Sequence, residues 1–372
     1  MRKAMIFSSL LVGAATIAAT VGGLSAQNNP YIGRWNITGT GADSGKVYVL
    51  EVRQEGDSLA GLFLDRGGHA TPVAWIKVEG GELQWQYGGN GETLPKPSCG
   101  PLYRAKMQGD KLVGQHTTPG TPCPPRAPSA AATAAAKAAP KAAPKAAAKA
   151  PPAPQTVHWV GVRQPVFPAT NANGQHTYGV PVVIVGPGVG KEVWTGLTSD
   201  TARSPCVDRW TMADGVMTNQ MPAQGERSTC NPYTRQRFSD FRIQAEFNLG
   251  EGQNSGLYLR GRYELQLMLQ RPGQPPAVYP GRLMDIYGWK RADVYAGNPP
   301  GEWQVLDAVL VGNRLTATLN GKKVHDNAVI KAITGGALDN DELAPGPIMI
   351  QGDHSLVSFR KLVVTPITNA GT

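Results

Sequence analysis

Short apolar segments with alternating polar positions recur along most of the chain, and glycine-containing turns separate them. Between residues 28 and 116 the clearest are 46–52, 59–64, 74–78 and 82–87, followed by a hairpin around 108–110. Alternation with period two places successive side chains on opposite faces of a strand. Six or seven such segments, spaced about ten residues apart, predict a small antiparallel barrel or sandwich.

A second β-rich region runs from about 157 to 367. Segments 241–247 and 263–269 alternate with period two, and 305–311 and 315–319 form a meander that ends in the hairpin signal Asn320-Gly321. Segments 348–351 and 356–359 are expected to pair as a closing hairpin. Helical periodicity is nearly absent, so the sequence predicts an all-β protein whose larger part is a two-sheet sandwich of jelly-roll type.

The segment between these regions, 124–156, consists mainly of alanine, proline and lysine and contains no acidic residue. Its four lysines recur at every fourth position, but Pro140 and Pro144 interrupt the helix that this spacing would favour. We predict a semi-rigid, solvated linker, whose cations can make weak contact with an anionic cell envelope.

The first 26 residues resemble a cleavable signal peptide. A cationic start, Arg2-Lys3, precedes an apolar stretch that ends in Leu24-Ser25-Ala26. This stretch is rich in small residues, which makes a permanent membrane span a poor interpretation. The predicted domains are a signal peptide at 1–26, a small β domain at 28–123, the linker at 124–156 and the sandwich at 157–367, in a periplasmic or secreted protein.

The net charge of +9 is typical of a nucleic-acid-binding protein until its distribution is considered. Seven of these charges belong to the predicted leader and linker, so the folded regions are nearly neutral. A surface that holds phosphates would need a basic patch within the fold. The sequence therefore argues against nucleic acid as a partner.

The four cysteines are expected to form structural disulfides, because even counts in exported chains are typical of them. The linker separates the first two cysteines from the last two, which makes nearest-neighbour pairing the economical choice among three connectivities. The expected pairs are Cys99–Cys123 and Cys206–Cys230.

The strand 263–269 presents two chemically useful side chains on one face. Its alternation places Glu264 and Gln266 together, opposite Tyr263 and the leucines. An acid and an amide on one sheet face can bind sugar hydroxyls or move a proton. An exposed polar face explains the same pattern, and the periodicity alone does not separate the two interpretations.

Three further residues are candidates, and two of them directly precede this strand in the sequence. Tyr258 and Arg260 alternate onto a common face just before it, which would bring the guanidinium of Arg260 near the cavity expected at Glu264 and Gln266. His354 can act as a general base near neutral pH, although a lone histidine in a hairpin is more often a turn residue. His69 and His116 are interpreted as structural or solvated.

A series of short motifs then occurs in one order. The motifs are Asn254-Ser255-Gly256, Tyr258-x-Arg260, Tyr263-Glu264-x-Gln266, Ile286-Tyr287-Gly288, Pro300-Gly301-Glu302-Trp303, Leu319-Asn320-Gly321, Gly346-Pro347-Ile348, Gln351-x-x-His354 and Phe359-Arg360. Together they resemble the 3-keto-disaccharide hydrolase family, the 3-keto-glucoside 1,2-lyase/3-keto-2-hydroxyglucal hydratase domains, over about half of the chain. Compared with the family pattern, one extra residue precedes His354.

The resemblance implies a concanavalin-like sandwich and an exported enzyme that cleaves 3-keto-glycosides. A 3-keto group acidifies the C2 proton of a pyranose, so a base can remove that proton, the C1 substituent leaves, and water then adds. In this scheme Glu264 and His354 are the catalytic acid and base. The substrate-binding residues implied are Asn254, Tyr258, Arg260, Gln266, Tyr287 and Gln351.

The expected partner is a small sugar substrate. No cofactor is firmly implied; the Glu/His pair is compatible with a divalent metal, but no ligand set requires one. The acidic stretch 339–342 is interpreted as a solvated loop rather than a calcium site. A non-catalytic carbohydrate-binding or envelope-associated protein is the alternative function.

Overall fold

The computed structural model describes residues 29–65, 67–87, 100–118, 154–199, 205–270 and 279–371. The predicted signal peptide, most of the linker, Cys99 and Cys123 lie outside these ranges. Residues 31–372 form one compact unit. No α-helix occurs among the described residues, and two 3₁₀ turns, Gly41–Asp43 and Lys191–Val193, interrupt an otherwise all-β structure.

Nine strands form the first sheet, in the order β4-β3-β2-β1-β9-β8-β7-β6-β5. Their bounds are β1 Gly33–Gly39, β2 Val47–Glu55, β3 Ser58–Leu64, β4 Thr71–Pro72, β5 Trp75–Glu79, β6 Glu82–Gln86, β7 Leu102–Gln108, β8 Lys111–Thr118 and β9 Gln155–Arg163. The domain boundaries drawn from the sequence stay a prediction, but β9, which they assign largely to the second region, pairs with β1 and β8.

The two edges of this sheet meet, so the sheet closes into a barrel. Strands β4 and β5 are halves of one interrupted strand: the Val73 N–H donates to Gly61 O on one side (3.0 Å), and the Ala74 N–H donates to Gln86 O on the other (2.9 Å). Large side chains fill the interior, among them Trp35, Tyr48, Phe63, Trp85 and Trp159. Of the two folds predicted for this region, the structure is the barrel.

Sixteen strands build the second region. Their bounds are β10 Thr177–Tyr178, β11 Val182–Val185, β12 Trp194–Thr195, β13 Cys206–Val207, β14 Trp210–Ala213, β15 Val216–Asn219, β16 Ser228–Thr229, β17 Tyr233–Thr234, β18 Phe241–Asn248, β19 Asn254–Leu259, β20 Tyr263–Met268, β21 Gln304–Val311, β22 Arg314–Leu319, β23 Lys322–Val329, β24 Met349–Ile350 and β25 Ser358–Asn369.

Fourteen of these strands form the predicted sandwich, and β13 and β16 pair separately with each other. The larger sheet has the order β14-β15-β25-β18-β21-β22-β23, with β10 and β11 also paired to β25, and the smaller one the order β12-β17-β24-β19-β20. Alternate side chains of β18 are buried, as its period-two sequence predicts. The all-β sandwich class is therefore confirmed.

The predicted closing hairpin is wrong, because its two segments belong to different sheets. β24 pairs with β17 and β19 in the smaller sheet, whereas β25 pairs with β18 in the larger one. The segment 351–357 crosses between the sheets and carries His354 with it. Both segments are apolar and close in sequence, which is why pattern alone suggested direct pairing.

The barrel packs directly against the sandwich. Strand β2 is buried on both faces, with Tyr48 and Leu50 in the barrel core and Val47 and Val49 in the core of the sandwich. The acidic stretch 339–342 lies at this contact: Glu342 is buried and accepts hydrogen bonds from Asn36 and Gln164, both at 2.9 Å. Glu342 is therefore a buried contact residue, and not part of the solvated loop predicted for it.

Candidate active site

One enclosed cavity of about 200 Å³ lies over the outer face of the smaller sheet. Its walls contain seven of the eight side chains predicted to act on substrate, namely Asn254, Tyr258, Glu264, Gln266, Tyr287, Gln351 and His354. Sequence alternation explains the first four, because β19 and β20 direct their leucines into the core and these side chains to the opposite face. The structure thus gathers residues that the sequence spreads over about a hundred positions.

Glu264 is the most deeply buried acid of the cavity, with 2% of its surface exposed. Its strand partner Tyr258 has the hydroxyl 2.9 Å from Oε2, and the backbone N–H of Glu264 donates to Thr334 Oγ1 (2.9 Å). Across the sheet, Gly256 leaves room for the carboxyl group, since a Cβ there would overlap Oε1. Burial is the main cause that raises the pKa of Glu264 to about 8.

The hydrogen bonds of Tyr258 are consistent with a protonated Glu264. The hydroxyl lies 2.9 Å from Glu264 Oε2 and 2.8 Å from the carbonyl oxygen of Gly335, but it carries only one proton. A carbonyl oxygen can only accept. When Tyr258 donates to Gly335, the remaining bond requires Glu264 to be the donor, and therefore to be in its neutral form.

His354 faces the same cavity and forms a pair with Asp353. The ring Nδ1 lies 2.6 Å from Asp353 Oδ1, and this hydrogen bond is the main cause that raises the pKa of His354. Asn231 holds the segment in place, because its Oδ1 accepts the backbone N–H of Gly352 at 2.7 Å and that of Asp353 at 3.2 Å. The pairing directs Nε2 away from Asp353, as a general base requires.

Amide and hydroxyl groups supply the remaining polar surface. The Nε2 of Gln266 donates to Asn254 Oδ1 across β20 and β19. Among the described residues, the buried Oε1 of Gln351 has no hydrogen-bond partner, so a ligand hydroxyl would satisfy it. The described lining contains no lysine or arginine, which suits an uncharged ligand.

The segment 284–287 follows the free edge of β20 and places Tyr287 over the cavity. The Tyr287 N–H donates to Glu264 O (3.1 Å), and Gln266 exchanges backbone bonds with Met284 and Asp285. The buried Asp285 carboxylate shapes this segment by accepting the N–H groups of Gly281 (2.8 Å) and Ala292 (2.8 Å). The described residues 279–287 contribute Tyr279, Gly281 and Tyr287 to the cavity wall.

Arg260 is the predicted residue that the structure places elsewhere. Its φ of +54° puts it in the turn between β19 and β20, which ends the alternation that was expected to align it with Tyr258. The guanidinium instead donates to Gly312 O and packs over the ring of Tyr263. Arg260 does not line the cavity, so its expected role in holding the ketose lacks support from this geometry.

Several lining residues were missed at the sequence level. Asn231, Met268, Tyr279, Gly335 and Gly336 come from separate loops or strand ends. Asp353 could have been found, because an acid directly before a candidate histidine is a common orienting partner. The barrel residue Gly67, also in the wall, gave no local signal.

The disulfide Cys206–Cys230 is confirmed, with the two Cα atoms 5.0 Å apart. Among the residues that the structure describes, no group of three or more His, Cys, Asp or Glu side chains could hold a metal ion. Within the same residues, no helix is long and apolar enough to cross a membrane.

Comparison with known proteins gives one family and several solved structures. Residues 188–365 match the 3-keto-alpha-glucoside-1,2-lyase-like domain. A candidate glycosyl hydrolase from Parabacteroides distasonis is 23% identical, with 55% of this chain and 93% of that chain covered and a TM-score of 0.40. A lichenase derived from a mouse hindgut metagenome is 11% identical, over 51% of this chain and 100% of that chain, with a TM-score of 0.31. No curated protein matches the sequence.

The family match carries the assignment, because the structural similarities are too low to add to it. It covers the sandwich strands from β12 to most of β25 and every predicted site residue. The resemblance found in the motifs is therefore confirmed, and it supports a carbohydrate-active enzyme of glycoside hydrolase type. Over residues 188–365 the chain is similar to the 3-keto-alpha-glucoside-1,2-lyase-like domain family.

Proposed function

We propose that the protein cleaves 3-keto-glycosides in this cavity. The observation that carries the proposal is the joint presence of a buried carboxylic acid, Glu264, and an oriented imidazole, His354, in the wall of one cavity. Elimination from a 3-keto-glycoside requires one group that accepts the C2 proton and another that protonates the departing oxygen. Burial favours Glu264 as the acid, and the hydrogen bond to Asp353 favours His354 as the base.

In the first step Nε2 of His354 accepts the proton from C2. The C2–H electron pair moves into the 3-keto group and gives an enolate. The enolate then collapses to form the C1=C2 double bond as the C1–O bond breaks, and Glu264 gives its proton to the departing oxygen. The enolate oxygen that develops at C3 needs hydrogen-bond donors, and the side-chain amide groups of Asn231 and Gln266 are available in the wall. The products of this step are an alcohol and a 2-hydroxy-3-keto-glucal.

In the second step the same groups exchange roles. The oxygen of a water molecule adds to C1 while the Glu264 carboxylate accepts a proton from that water. The imidazolium of His354 then returns a proton to C2. Both side chains regain their starting states, and the net reaction is hydrolysis. Each positioned proton-transfer group contributes roughly 10²–10⁴-fold to such a reaction.

Incubation with 3-keto-sucrose and 3-keto-trehalose tests the proposal. The expected products are 3-keto-glucose and the released sugar, with the glucal as an intermediate. Glu264→Gln and His354→Ala are expected to lower kcat by roughly 10²–10⁴-fold, while sugar binding measured by calorimetry persists. Absence of any keto-sugar product from the wild-type protein would refute the proposal.

A non-catalytic sugar-binding protein is the second candidate, favoured by the extra residue before His354. The structure keeps His354 in the cavity wall despite that residue, which weakens the argument. The two candidates separate in the same experiment, because a binding protein would retain sugar affinity in the wild type and show no turnover that depends on Glu264.

We further propose that the protein is periplasmic or secreted. The predicted leader and the Cys206–Cys230 disulfide support this, because disulfides persist in oxidising compartments. Cell fractionation and the N-terminal sequence of the mature protein test it. A mature chain that begins near Gln27 is expected, and a cytoplasmic chain that retains Met1 would contradict export.

A further inference from the structure

The barrel contributes to the wall of the cavity, although it lies outside the segment matched by the family. The connection between β3 and β4, whose described residues are Asp65 and 67–70, is here called the barrel loop. Gly67 of this loop lines the cavity together with Glu264 and His354. The barrel loop is therefore part of the same chamber as the proposed catalytic pair.

An aromatic cluster fixes the barrel loop against the sandwich. The imidazole of His69 stacks on Tyr279, with 3.6 Å between ring centroids and an interplanar angle of 12°. Tyr279 in turn lies edge-on to Tyr287, with centroids 6.0 Å apart. Both tyrosines line the cavity, so His69 supports one of its walls from behind.

Two glycines of the sandwich allow the close approach of the barrel loop. A Cβ at Gly335 would overlap the backbone of Gly67 and Gly68. A Cβ at Gly288, where φ is +72°, would lie 2.8 Å from the Cβ of His69. Gly335 also holds the hydroxyl of Tyr258 through its carbonyl oxygen (2.8 Å). Gly335 therefore has two roles: the barrel loop packs against its backbone, and its carbonyl oxygen positions Tyr258, the hydrogen-bond partner of Glu264.

We propose that the barrel loop is the wall that selects the leaving group of the substrate. The enzyme then accepts a 3-keto-glycosyl unit that carries a small alcohol or one further sugar, and discriminates against the same unit on a longer oligosaccharide. The inference rests on the proposed function of the cavity.

The size of the cavity supports this substrate class. At about 200 Å³ the cavity is smaller than the roughly 300–1,000 Å³ of typical ligand pockets, so it suits a small ligand. A leaving group must therefore extend along a wall that is already in place. Because the His69–Tyr279 stack spans the two domains, that wall moves only if the barrel loop moves with it.

Two substitutions change the wall in opposite directions. A Cβ at Gly67 meets no atom within 4 Å, so the position has open space for the start of a side chain, and Gly67→Trp is the substitution chosen to narrow the cavity. His69→Ala removes the ring that supports Tyr279 and widens it. Gln115→Trp is the matched control, because Gln115 is an exposed barrel residue that does not line this cavity.

The test compares kcat/KM for three substrates that share one 3-keto-glucosyl unit and differ in the leaving group: methanol, glucose and cellotriose. With Gly67→Trp the ratio of kcat/KM for the glucose substrate to that for the methanol substrate is expected to fall by about tenfold or more. With His69→Ala the relative kcat/KM for the cellotriose substrate is expected to rise by about tenfold. Gln115→Trp should reproduce the wild-type ratios.

Wild-type ratios in both loop variants would overturn the proposal, provided that their thermal unfolding matches the wild type. If the wild-type protein turns over none of the three substrates, the proposed function fails instead. The role of the barrel loop is then tested by calorimetric affinities for the same three glycosides. The ratios of affinity between these glycosides must change in the variants in the directions given for kcat/KM. If the affinities do not differ between the variants, the proposal that the barrel loop selects the leaving group is refuted independently of catalysis.

Discussion

Glu264 illustrates at the scale of one residue how position changes chemistry. A glutamate on an exposed strand face would ionise near its usual pKa of 4.5, but burial beneath the cavity raises the pKa to about 8. The carboxyl group keeps its proton at neutral pH and can donate it. The positive charge of a protonated His354 opposes this shift without overcoming burial.

We predict that Glu264→Gln stabilises the fold relative to the wild type, and that this gain in stability increases with pH. Between pH 4.5 and about 8 the unfolded state releases the proton of Glu264 while the folded state retains it, so wild-type stability falls as pH rises. Glutamine does not titrate. The stability of the variant relative to wild type should therefore increase across this window and level off above it.

An interval of roughly three pKa units sets an upper limit of about 4–5 kcal/mol on this effect. Urea unfolding at pH 5, 7 and 9 measures it, with Glu251→Gln, an exposed glutamate of the sandwich, as the control. A difference in unfolding free energy between Glu264→Gln and wild type that stays constant from pH 5 to pH 9 would contradict the raised pKa.

The same two residues predict a bell-shaped pH profile for kcat/KM. His354 must be neutral to accept the C2 proton, so the rate rises with pH through its raised pKa. Glu264 must be protonated to donate, so the rate falls again near pH 8. Initial rates on 3-keto-trehalose across pH 5 to 10 test this, and in Glu264→Gln the alkaline limb should be lost from the residual activity.

At the scale of elements, short strands and crossings hold the site. β24 has only two residues, yet it anchors the 351–357 segment that carries Asp353 and His354 to the cavity. Next to it, a Cβ at Gly352 would overlap Cys230 O and the ring of Trp210, and the Trp210 Nε1–H donates to the same carbonyl at 2.8 Å. The Cys206–Cys230 disulfide therefore lies directly behind the segment that positions His354.

Removal of this disulfide is expected to destabilise the protein. In the chain-entropy account, a bridge across a sequence separation of 24 contributes about 3 kcal/mol. The Cys206→Ser/Cys230→Ser variant should unfold at a lower urea concentration than the wild type when both are measured under oxidising conditions. Equal midpoints for the variant and the oxidised wild type would contradict this estimate.

At the scale of the whole molecule, the barrel and the sandwich share a core. Val47, Val49 and Leu64 point out of the barrel and pack within the hydrophobic cluster of the sandwich. The buried Glu342 adds directional contacts, since Tyr263, Asn36 and Gln164 all donate to its carboxylate. Burial of this kind resembles the interior of one domain more than a contact between two independent ones.

We predict that Val49→Asp uncouples the two parts. Val49 is 1% exposed, and an unpaired carboxylate there would cost roughly 3 kcal/mol or more. Calorimetry should resolve two thermal transitions in the variant and one in the wild type. Gln115→Asp, on the exposed outer surface of the barrel, is the control and should retain the single transition. One unchanged transition in Val49→Asp would show that the barrel and sandwich do not share a core.

Local pattern determined the strands, the sandwich class and the common face of Glu264 and Gln266, because period-two alternation is a property of neighbouring residues. The motif series also brought His354, Tyr287 and Gln351 into the candidate site. Only the tertiary structure decided that Arg260 leaves that site, since one left-handed turn residue ends the alternation. Only it showed the continuous apolar run of β2 to be buried on both faces, and placed Gly67 of the barrel in the cavity wall. Such contacts join residues far apart in the chain, where no local periodicity records them.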